Sequence, residues 1–415
     1  MIKALLLLFF ISLFLIVYSY LLYPSLTEVL AFIFCRRKQN NKSNKSLTYS
    51  VSIIMAVHNE EKVISAKLRS LIELDFVARE AYNQYANIEV LIGSDASTDN
   101  TDDIIEKYSK DYSFIRLIRF RERSGKASII NQLVDMASGE IIVSTDANVI
   151  FDRRLLDELL LPFHDPRVGM VAANIIRGIE SSNGMQKIEK KYIIRENKIK
   201  KMQSCLSGLL MGAEGGCYAI RKSLFAKVPH GYFMDDFFIT MSVIQKGYNI
   251  SFAENALCYE DVPDNRIEEF RRKTRISIGN YQNMAHYWRM LFNPLHRVFF
   301  HFISHKFIRW MTPFLMILAL ICGWVLSFYD GIYLYPSLLL TCLMILPLAG
   351  ELAYSIPVLS HATHFVYMNY ALLRGFFLYL RRPTNSVWQP TARKTAENLN
   401  LEDERDKVRV KSVRG

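Results

Sequence analysis

The sequence predicts an α/β domain built on a parallel sheet and carried between apolar helices. Two observations carry that prediction. Residues 50–165 alternate short apolar runs with helical stretches, the pattern of a parallel sheet with crossover helices. Residues 311–329, 331–350 and 352–373 carry no charged side chain, and residues 4–35 carry only Glu28. A bilayer core needs roughly 20 apolar helical residues. The chain has 415 residues, of which 51% are hydrophobic and 22% charged, so its apolar surplus is concentrated and its middle is polar. That balance excludes a disordered chain, a collagen-like chain and a wholly membrane-embedded one.

Four apolar runs read as strands. VSIIMAV (51–57) stops at His-Asn-Glu, EVLIGSD (89–95) at Asp95, and EIIVSTD (140–146) at Asp146, while IRLIRF covers 115–120. Helices are expected over 60–74 and 126–138. Ligands of open α/β sheets bind beyond the carboxyl ends of the strands, so the polar residues at these ends mark the expected site.

The organisation follows the same contrast. Residues 1–35 read as an uncleaved membrane anchor, because no small-residue cleavage pattern follows them. Arg36, Arg37, Lys38, Lys42 and Lys45 come after the anchor and only Lys3 before it, which places the middle region in the cytosol. A soluble domain is expected over 50–265, and interface helices rich in Arg, His and aromatic residues over 266–309. A membrane region is expected over 310–380, with two spans and a weaker third segment near 361–380. A basic tail occupies 381–415. Three crossings after the domain would put that tail outside, whereas its charge favours the cytosol.

The net charge of +11 fits anionic lipid headgroups or a negatively charged substrate. Nucleic acid is not expected, because the basic residues lie beside apolar spans. The six cysteines are scattered without a Cys-x-x-Cys pair, which argues against a zinc site or a disulfide framework and fits a reducing compartment.

Candidate chemistry lies in a few short segments. Ser-Thr-Asp-Ala-Asn sets Asp146 and Asn148 two residues apart at a strand end, oxygen donors suited to Mg²⁺ or Mn²⁺. Asp235 and Asp236 are adjacent carboxylates among aromatic residues, where desolvation would raise one pKa and suit a general base. Each motif also has an ordinary reading. Asp95 and Asp146 could be turn formers or helix caps, and the acid pair could be a helix first turn. Lys126 in Ser-Gly-Lys-Ala-Ser lacks the full phosphate-loop pattern but could meet a phosphate at a helix start. Arg271, Arg272, Lys273 and Arg275 form a basic cluster that suits phosphate or anionic lipid.

The order of these motifs is more specific than any one of them. VSIIMAVHNEE, GSDASTDNT, SGKASIINQL, IIVSTDANV, GAEGGCYAIRKSLF, MDDF and RRKTR, in that order, resemble the family 2 glycosyltransferases. The resemblance is to their membrane-embedded branch, which contains the hyaluronan, cellulose and poly-N-acetylglucosamine synthases. It covers about residues 50–290, and the WQPTAR segment (388–393) is similar too.

The resemblance implies a GT-A fold, a UDP-sugar donor and an inverting transfer. It implies that Val57, His58, Asn59, Glu60 and Asp95 hold the nucleotide and that Lys126 lies near the donor. Asp146 and Asn148 match the positions that hold a divalent metal, Mn²⁺ or Mg²⁺, and the diphosphate. Asp236 matches the general base, while Asp235, Arg272 and Arg275 fall near the diphosphate and the acceptor. The chain departs from the pattern at Ser94, His58, Asn148 and Ile276, the last standing where the polymerising relatives carry Trp. The implied protein sits in a bacterial inner membrane with its catalytic domain in the cytosol. Its acceptor would be a polysaccharide or a lipid at the membrane, and a partner subunit or a second copy could complete an export path. A single-transfer glycolipid enzyme and an inactive scaffold are the alternatives.

Overall fold

A computed structural model of the chain describes residues 1–35, 49–75, 88–177, 184–260, 266–350, 354 and 356–381. The basic residues expected at 36–45 and the tail beyond Arg381, with its WQPTAR segment, lie outside the described residues.

The centre of the molecule is an eight-stranded sheet. Strands β1 (Val51–Val57), β2 (Ile88–Asp95), β3 (Ile115–Phe120) and β4 (Ile141–Thr145) fall on the four expected apolar runs. They are followed by β5 (Val149–Phe151), β6 (Val168–Arg177), β7 (Cys217–Arg221) and β8 (Asn249–Glu260). The order across the sheet is β3-β2-β1-β4-β7-β6-β8-β5.

The expected parallel arrangement holds for β1 to β4, and β6 and β8 also pair in parallel. Strand β7 runs antiparallel between β4 and β6, and β5 runs antiparallel to β8, so the sheet is mixed. The reason lies in the connection after β4. A short turn over Asp146–Asn148 sends the chain into β5 at the far edge and leaves the slot beside β4 to the later strand β7.

Burial follows the side-chain alternation of the strands. Ile53, Met55, Val90, Ile92 and Val143 face one layer, with helices α2 (Ile64–Ile72), α3 (Thr101–Asp111) and α5 (Leu155–Leu160). Ile54, Leu91 and Ile142 face the other, with α4 (Lys126–Met136) and α7 (Asp235–Gln245). A long helix, α6 (Gly184–Ser207), crosses the site side of the sheet.

Among the described residues, three helices are long and apolar enough to cross a membrane: α1 (Ile2–Cys35), α9 (Phe299–Ser327) and α10 (Gly331–Ala349). Helix α9 runs unbroken across the boundary expected at 309/310, so one helix joins the two regions expected on either side of it. Phe9 of α1 packs on Ala319, Cys322 and Leu326 of α9. Helix α11 (Pro357–Leu380) covers the weaker third segment but is not among the candidate spans. It lies along α8 (Arg266–His286), where Ser277 Oγ donates to the Leu372 carbonyl at 2.8 Å. Tyr281 on α8 stacks on Tyr379 and meets Phe376 edge-on.

One expectation about cysteines is corrected. Cys35 and Cys205, 170 residues apart, form a disulfide that ties the end of α1 to α6. Spacing along the chain could not show a pair created by two helices meeting. Among the described residues no cluster of His, Cys, Asp and Glu is arranged to hold a metal by itself.

Candidate functional site

The ends of β1, β2 and β4 open on one cavity of about 730 Å³. Its wall includes Val57, Glu60, Asp95, Lys126, Asp146, Asn148, Asp235, Asp236, Arg272 and Arg275, so motifs spread over more than 200 residues of sequence converge there. His58 and Asn59 stand behind this wall.

The turn after β1 is locked to the turn after β2. His58 Nδ1 donates to the Asp95 carbonyl at 2.9 Å, which fixes the proton on that nitrogen. Burial, and then Arg123, hold the His58 pKa below its ordinary value, so the ring is neutral. Asn59 adopts φ 52°, a left-handed conformation that Asn tolerates. Its Oδ1 accepts from the Thr98 amide at 2.8 Å. Neither residue lines the cavity, and both hold the turn after β1.

Asp95 is nearly inaccessible. Its Oδ1 accepts from the Ser124 amide at 2.7 Å, and its Oδ2 accepts from the Gly125 amide at 3.0 Å and from Arg123 Nε at 3.3 Å. The carboxylate therefore holds the turn that starts α4. Gly125 has φ 84° there, a conformation open to glycine. That turn points Lys126 into the cavity.

Lys126 Nζ donates to Asp146 Oδ1 at 2.6 Å. Burial opposes the ammonium charge, but Asp146 and Asp235 outweigh it and raise the Lys126 pKa above its ordinary value. Two residues beyond Asp146, Asn148 Nδ2 donates to Glu260 Oε1 at 3.3 Å. Glu260, at the end of β8, was not anticipated. Its only sequence signal is that it is one more acidic residue ending an apolar run.

Asp146, Asn148 and Glu260 line the same stretch of cavity and offer only oxygen and amide groups. A hard divalent cation commonly takes one or two carboxylates and completes its shell with phosphate oxygens. The donor set fits such a substrate-bridged ion and not an all-protein cage.

Asp235 and Asp236 begin α7. Asp236 Oδ2 accepts from the Gly215 amide at 2.8 Å, and its Oδ1 from the Phe237 amide at 2.7 Å. Burial, and then the neighbouring Asp235 charge, push the Asp236 pKa up to about 7. Asp235 is buried, and its Oδ2 has no hydrogen-bond partner among the described residues. Gly215 is the meeting point of the site. A Cβ added there would lie 3.2 Å from Asp236 Oδ2 and 3.4 Å from Lys126 Nζ, so any side chain would intrude between the acid and the base.

Helix α8 supplies the arginines. Arg272 is held bidentately by Glu269, with Nε and Nη2 both at 2.8 Å from its oxygens. Arg275, one turn on, is largely buried and faces the charges of Asp146, Asp235 and Asp236. Ile276 lines the cavity beside it.

The cavity continues toward the membrane helices, a part that motif reading missed. Glu196 of α6 is buried and pairs with Arg309 and, at 3.1 Å, with His305 Nε2. Burial opposes the Glu196 charge, but Arg309 and His305 hold its pKa well below the carboxylate range. Gln203 joins α6 to α1 by donating to Tyr23 Oη at 2.7 Å. Glu196 sits in a lysine-rich stretch, where a single acid reads as one member of a solvated charge run.

The mixed sheet, with an acid turn after β4 and an acid pair opening the helix after β7, defines a GT-A fold with flanking apolar helices. Residues 52–228 match the family described as Glycosyl transferase family 2.

Curated relatives are similar to more than half of the chain. The poly-beta-1,6-N-acetyl-D-glucosamine synthase of Staphylococcus aureus (strain COL) is 28% identical over 240 residues, covering 56% of this chain and 55% of that protein. The Staphylococcus epidermidis synthase is 27% identical over 249 residues, covering 58% and 57%. The match thus spans only about half the length of these relatives. Among solved structures, a mannosyltransferase from Pyrobaculum calidifontis in complex with GDP-Man and Mn²⁺ aligns with a TM-score of 0.65 at 19% identity. That alignment covers 90% of this chain and 99% of that one.

Proposed function

We propose that this protein is a membrane-bound inverting glycosyltransferase that moves a sugar from a nucleotide-diphosphate donor, expected to be a UDP-sugar, to an acceptor held at the membrane. The observation that carries the reading is the convergence on Gly215. A raised-pKa carboxylate and a donor-side ammonium flank a glycine with no side chain to fill the space between them.

In this reading Asp236 takes the proton of the acceptor hydroxyl. The freed oxygen forms a bond to the anomeric carbon as the bond from that carbon to the phosphate oxygen breaks. The electron pair leaves with the nucleoside diphosphate. Lys126 and Arg275 stabilise the negative charge that develops there. A divalent cation, when bound through Asp146 and the Asn148 carbonyl, would neutralise the diphosphate. Arg272, oriented by Glu269, borders the same anionic region.

The extension of the cavity past Glu196 toward α9 and α11 supports a membrane-held acceptor. The similarity to poly-beta-1,6-N-acetyl-D-glucosamine synthases supports a polysaccharide product. Two candidate spans after the domain would return the chain to the domain's own side. On that topology α11 lies beside the domain, and the domain, α11 and the basic tail share the cytosolic face. Membrane lipids would surround α1, α9 and α10, and a partner subunit or second copy would complete any export path.

A second assignment of the base has its own support. Asp235 Oδ2 has no described partner, whereas both oxygens of Asp236 already accept backbone amides. The test is nucleotide release by the purified protein with a panel of UDP-sugars and GDP-mannose, with Mn²⁺ or Mg²⁺. Release with one donor, lost in Asp236→Asn, supports the proposal. Loss only in Asp235→Asn transfers the base to Asp235, and release unaffected by either variant removes the acid pair from the mechanism.

A further inference from the structure

Lys67 occupies an unusual place. It lies in the middle of α2, and its side chain is fully buried. Long charged side chains are almost never buried this completely without partners. Lys67 Nζ donates to Thr145 Oγ1 at 3.0 Å and to the Val149 carbonyl at 2.6 Å, and it sits 3.3 Å above the centre of the Phe151 ring. Its two acceptors stand immediately either side of the segment 146–148. One nitrogen thus pins both ends of the turn that carries Asp146 and Asn148.

The contacts continue outward from that point. Thr145 Oγ1, having accepted from Lys67, donates to the Gly216 carbonyl at 2.9 Å. Gly216 follows Gly215, whose amide binds Asp236. A second residue on the same helix repeats the attachment, since Ser70 Oγ accepts from the Phe151 amide at 3.3 Å. Helix α2 is therefore stapled to the turn from beneath, on the face of the sheet away from the cavity.

We propose that Lys67 is a positioning residue for the Asp146–Asn148 turn, setting the geometry with which that turn meets a divalent cation and a diphosphate. The inference rests on the reading of Asp146 and Asn148 as metal and diphosphate ligands. Lys67 itself reaches neither ligand. It acts by fixing the two ends of a three-residue turn whose own backbone bonds are few and long, Val149 N–H to the Asp146 carbonyl at 3.2 Å and Asp146 N–H to the Gly216 carbonyl at 3.4 Å. Burial pushes the Lys67 pKa down to about 7. The charged and neutral amines both carry enough N–H groups for the two acceptors, so the clamp does not depend on the charge. Residues behind a ligand govern its orientation, and losing them commonly costs about ten- to a hundredfold in metal affinity.

Two measurements on the full-length protein in detergent test this. The first needs no ligand: amide hydrogen exchange over residues 145–151, compared in Lys67→Met, Lys67→Gln and the parent. Methionine fills the volume and suits the apolar surroundings but donates nothing, whereas glutamine keeps a donor. The expected result is exchange accelerated about tenfold or more in Lys67→Met and largely restored in Lys67→Gln, with the β1 and β2 amides unchanged. Exchange equal to the parent in Lys67→Met overturns the proposal, as does a uniform acceleration across the sheet.

The second is Mn²⁺ binding followed by electron paramagnetic resonance in the presence of UDP. Affinity is expected to fall about ten- to a hundredfold in Lys67→Met. Unchanged affinity overturns the positioning role. A parent protein that binds no Mn²⁺ with nucleotide sinks the donor-site reading instead, and the exchange measurement then still decides whether Lys67 holds the turn.

Discussion

The ammonium of Lys126 lies 2.6 Å from Asp146 Oδ1, so the residue that opens α4 and the residue that closes β4 meet in one ion pair at the floor of the cavity. Twenty residues separate them in sequence, and the parallel pairing of β1 with β4 brings them together. A donor diphosphate with its cation would compete for both partners, Lys126 turning to phosphate and Asp146 to the metal. Lys126→Met is therefore expected to weaken nucleotide-sugar binding about tenfold or more, with Lys126→Arg retaining part of it, because hydrogen bonds to charged groups contribute about 1.5–3 kcal/mol. Isothermal titration with the donor found in the release assay measures this.

The pH profile should report Asp236. A general base works deprotonated, and the burial of Asp236 beside Asp235 raises its pKa to about 7. The rate is accordingly expected to rise with pH up to and through that value, and to level off above it. Asp236→Asn should lose turnover at every pH while keeping donor binding. A profile already flat from pH 5 would show that the titrating base is another group.

Asn148 and Glu260 make a linked prediction. Glu260→Ala removes the acceptor of the Asn148 amide and should weaken Mn²⁺ binding several-fold, as loss of an orienting partner does. Asn148→Asp places two carboxylates side by side without a proton between them. Its metal-free form should be less stable than the parent, and added Mn²⁺ should recover the difference. Thermal unfolding with and without the ion reads both effects.

Glu196 anchors Arg309 and His305 at the boundary between the domain and the apolar helices. Removing one partner of a buried pair leaves the other charge without compensation, at a cost of about 3–5 kcal/mol. Glu196→Ala should lower the unfolding temperature markedly. The double variant Glu196→Ala with Arg309→Met should recover much of the loss.

The Cys35–Cys205 pair reports on sidedness. Disulfides persist in oxidising compartments and are rare in the cytosol. If the domain faces the cytosol as proposed, maleimide trapping before lysis should label both cysteines, and the bond should close on exposure to oxidant. Failure of labelling in intact, unoxidised cells would place this end of α1 on the opposite face.

The strands up to β4 were legible because each is a compact apolar run that stops at a polar residue, and Asp95 and Asp146 fall where such runs end. The reversal at β7 was not legible, because strand direction depends on which slot in the sheet is free and not on the residues of the strand. Asp235 and Asp236 could be singled out as an adjacent pair among aromatic residues. Lys67, Glu260 and Glu196 could not. A lysine in an amphipathic helix, an acid ending a strand and an acid in a basic run each have an ordinary surface reading. Only the partners that folding brings from far along the chain distinguish them. Asp95 lines the cavity as expected and also holds the turn before Lys126, a second task that its place at a strand end does not reveal.

Phe302 and Trp310, from the first turns of α9, lie in the same apolar cluster as Phe237, Phe238 and Met241 of α7. A helix long and apolar enough to cross a membrane thus begins as part of the domain's interior. No water-soluble fragment ending before residue 299 keeps that interior closed, and one ending before 357 strips α8 of the cover that α11 gives to Tyr281. Expression trials that trim the apolar segments to obtain a soluble enzyme should yield aggregating protein. The protein is better handled whole, in lipid nanodiscs, where the surface that continues the domain into the membrane keeps its own solvent.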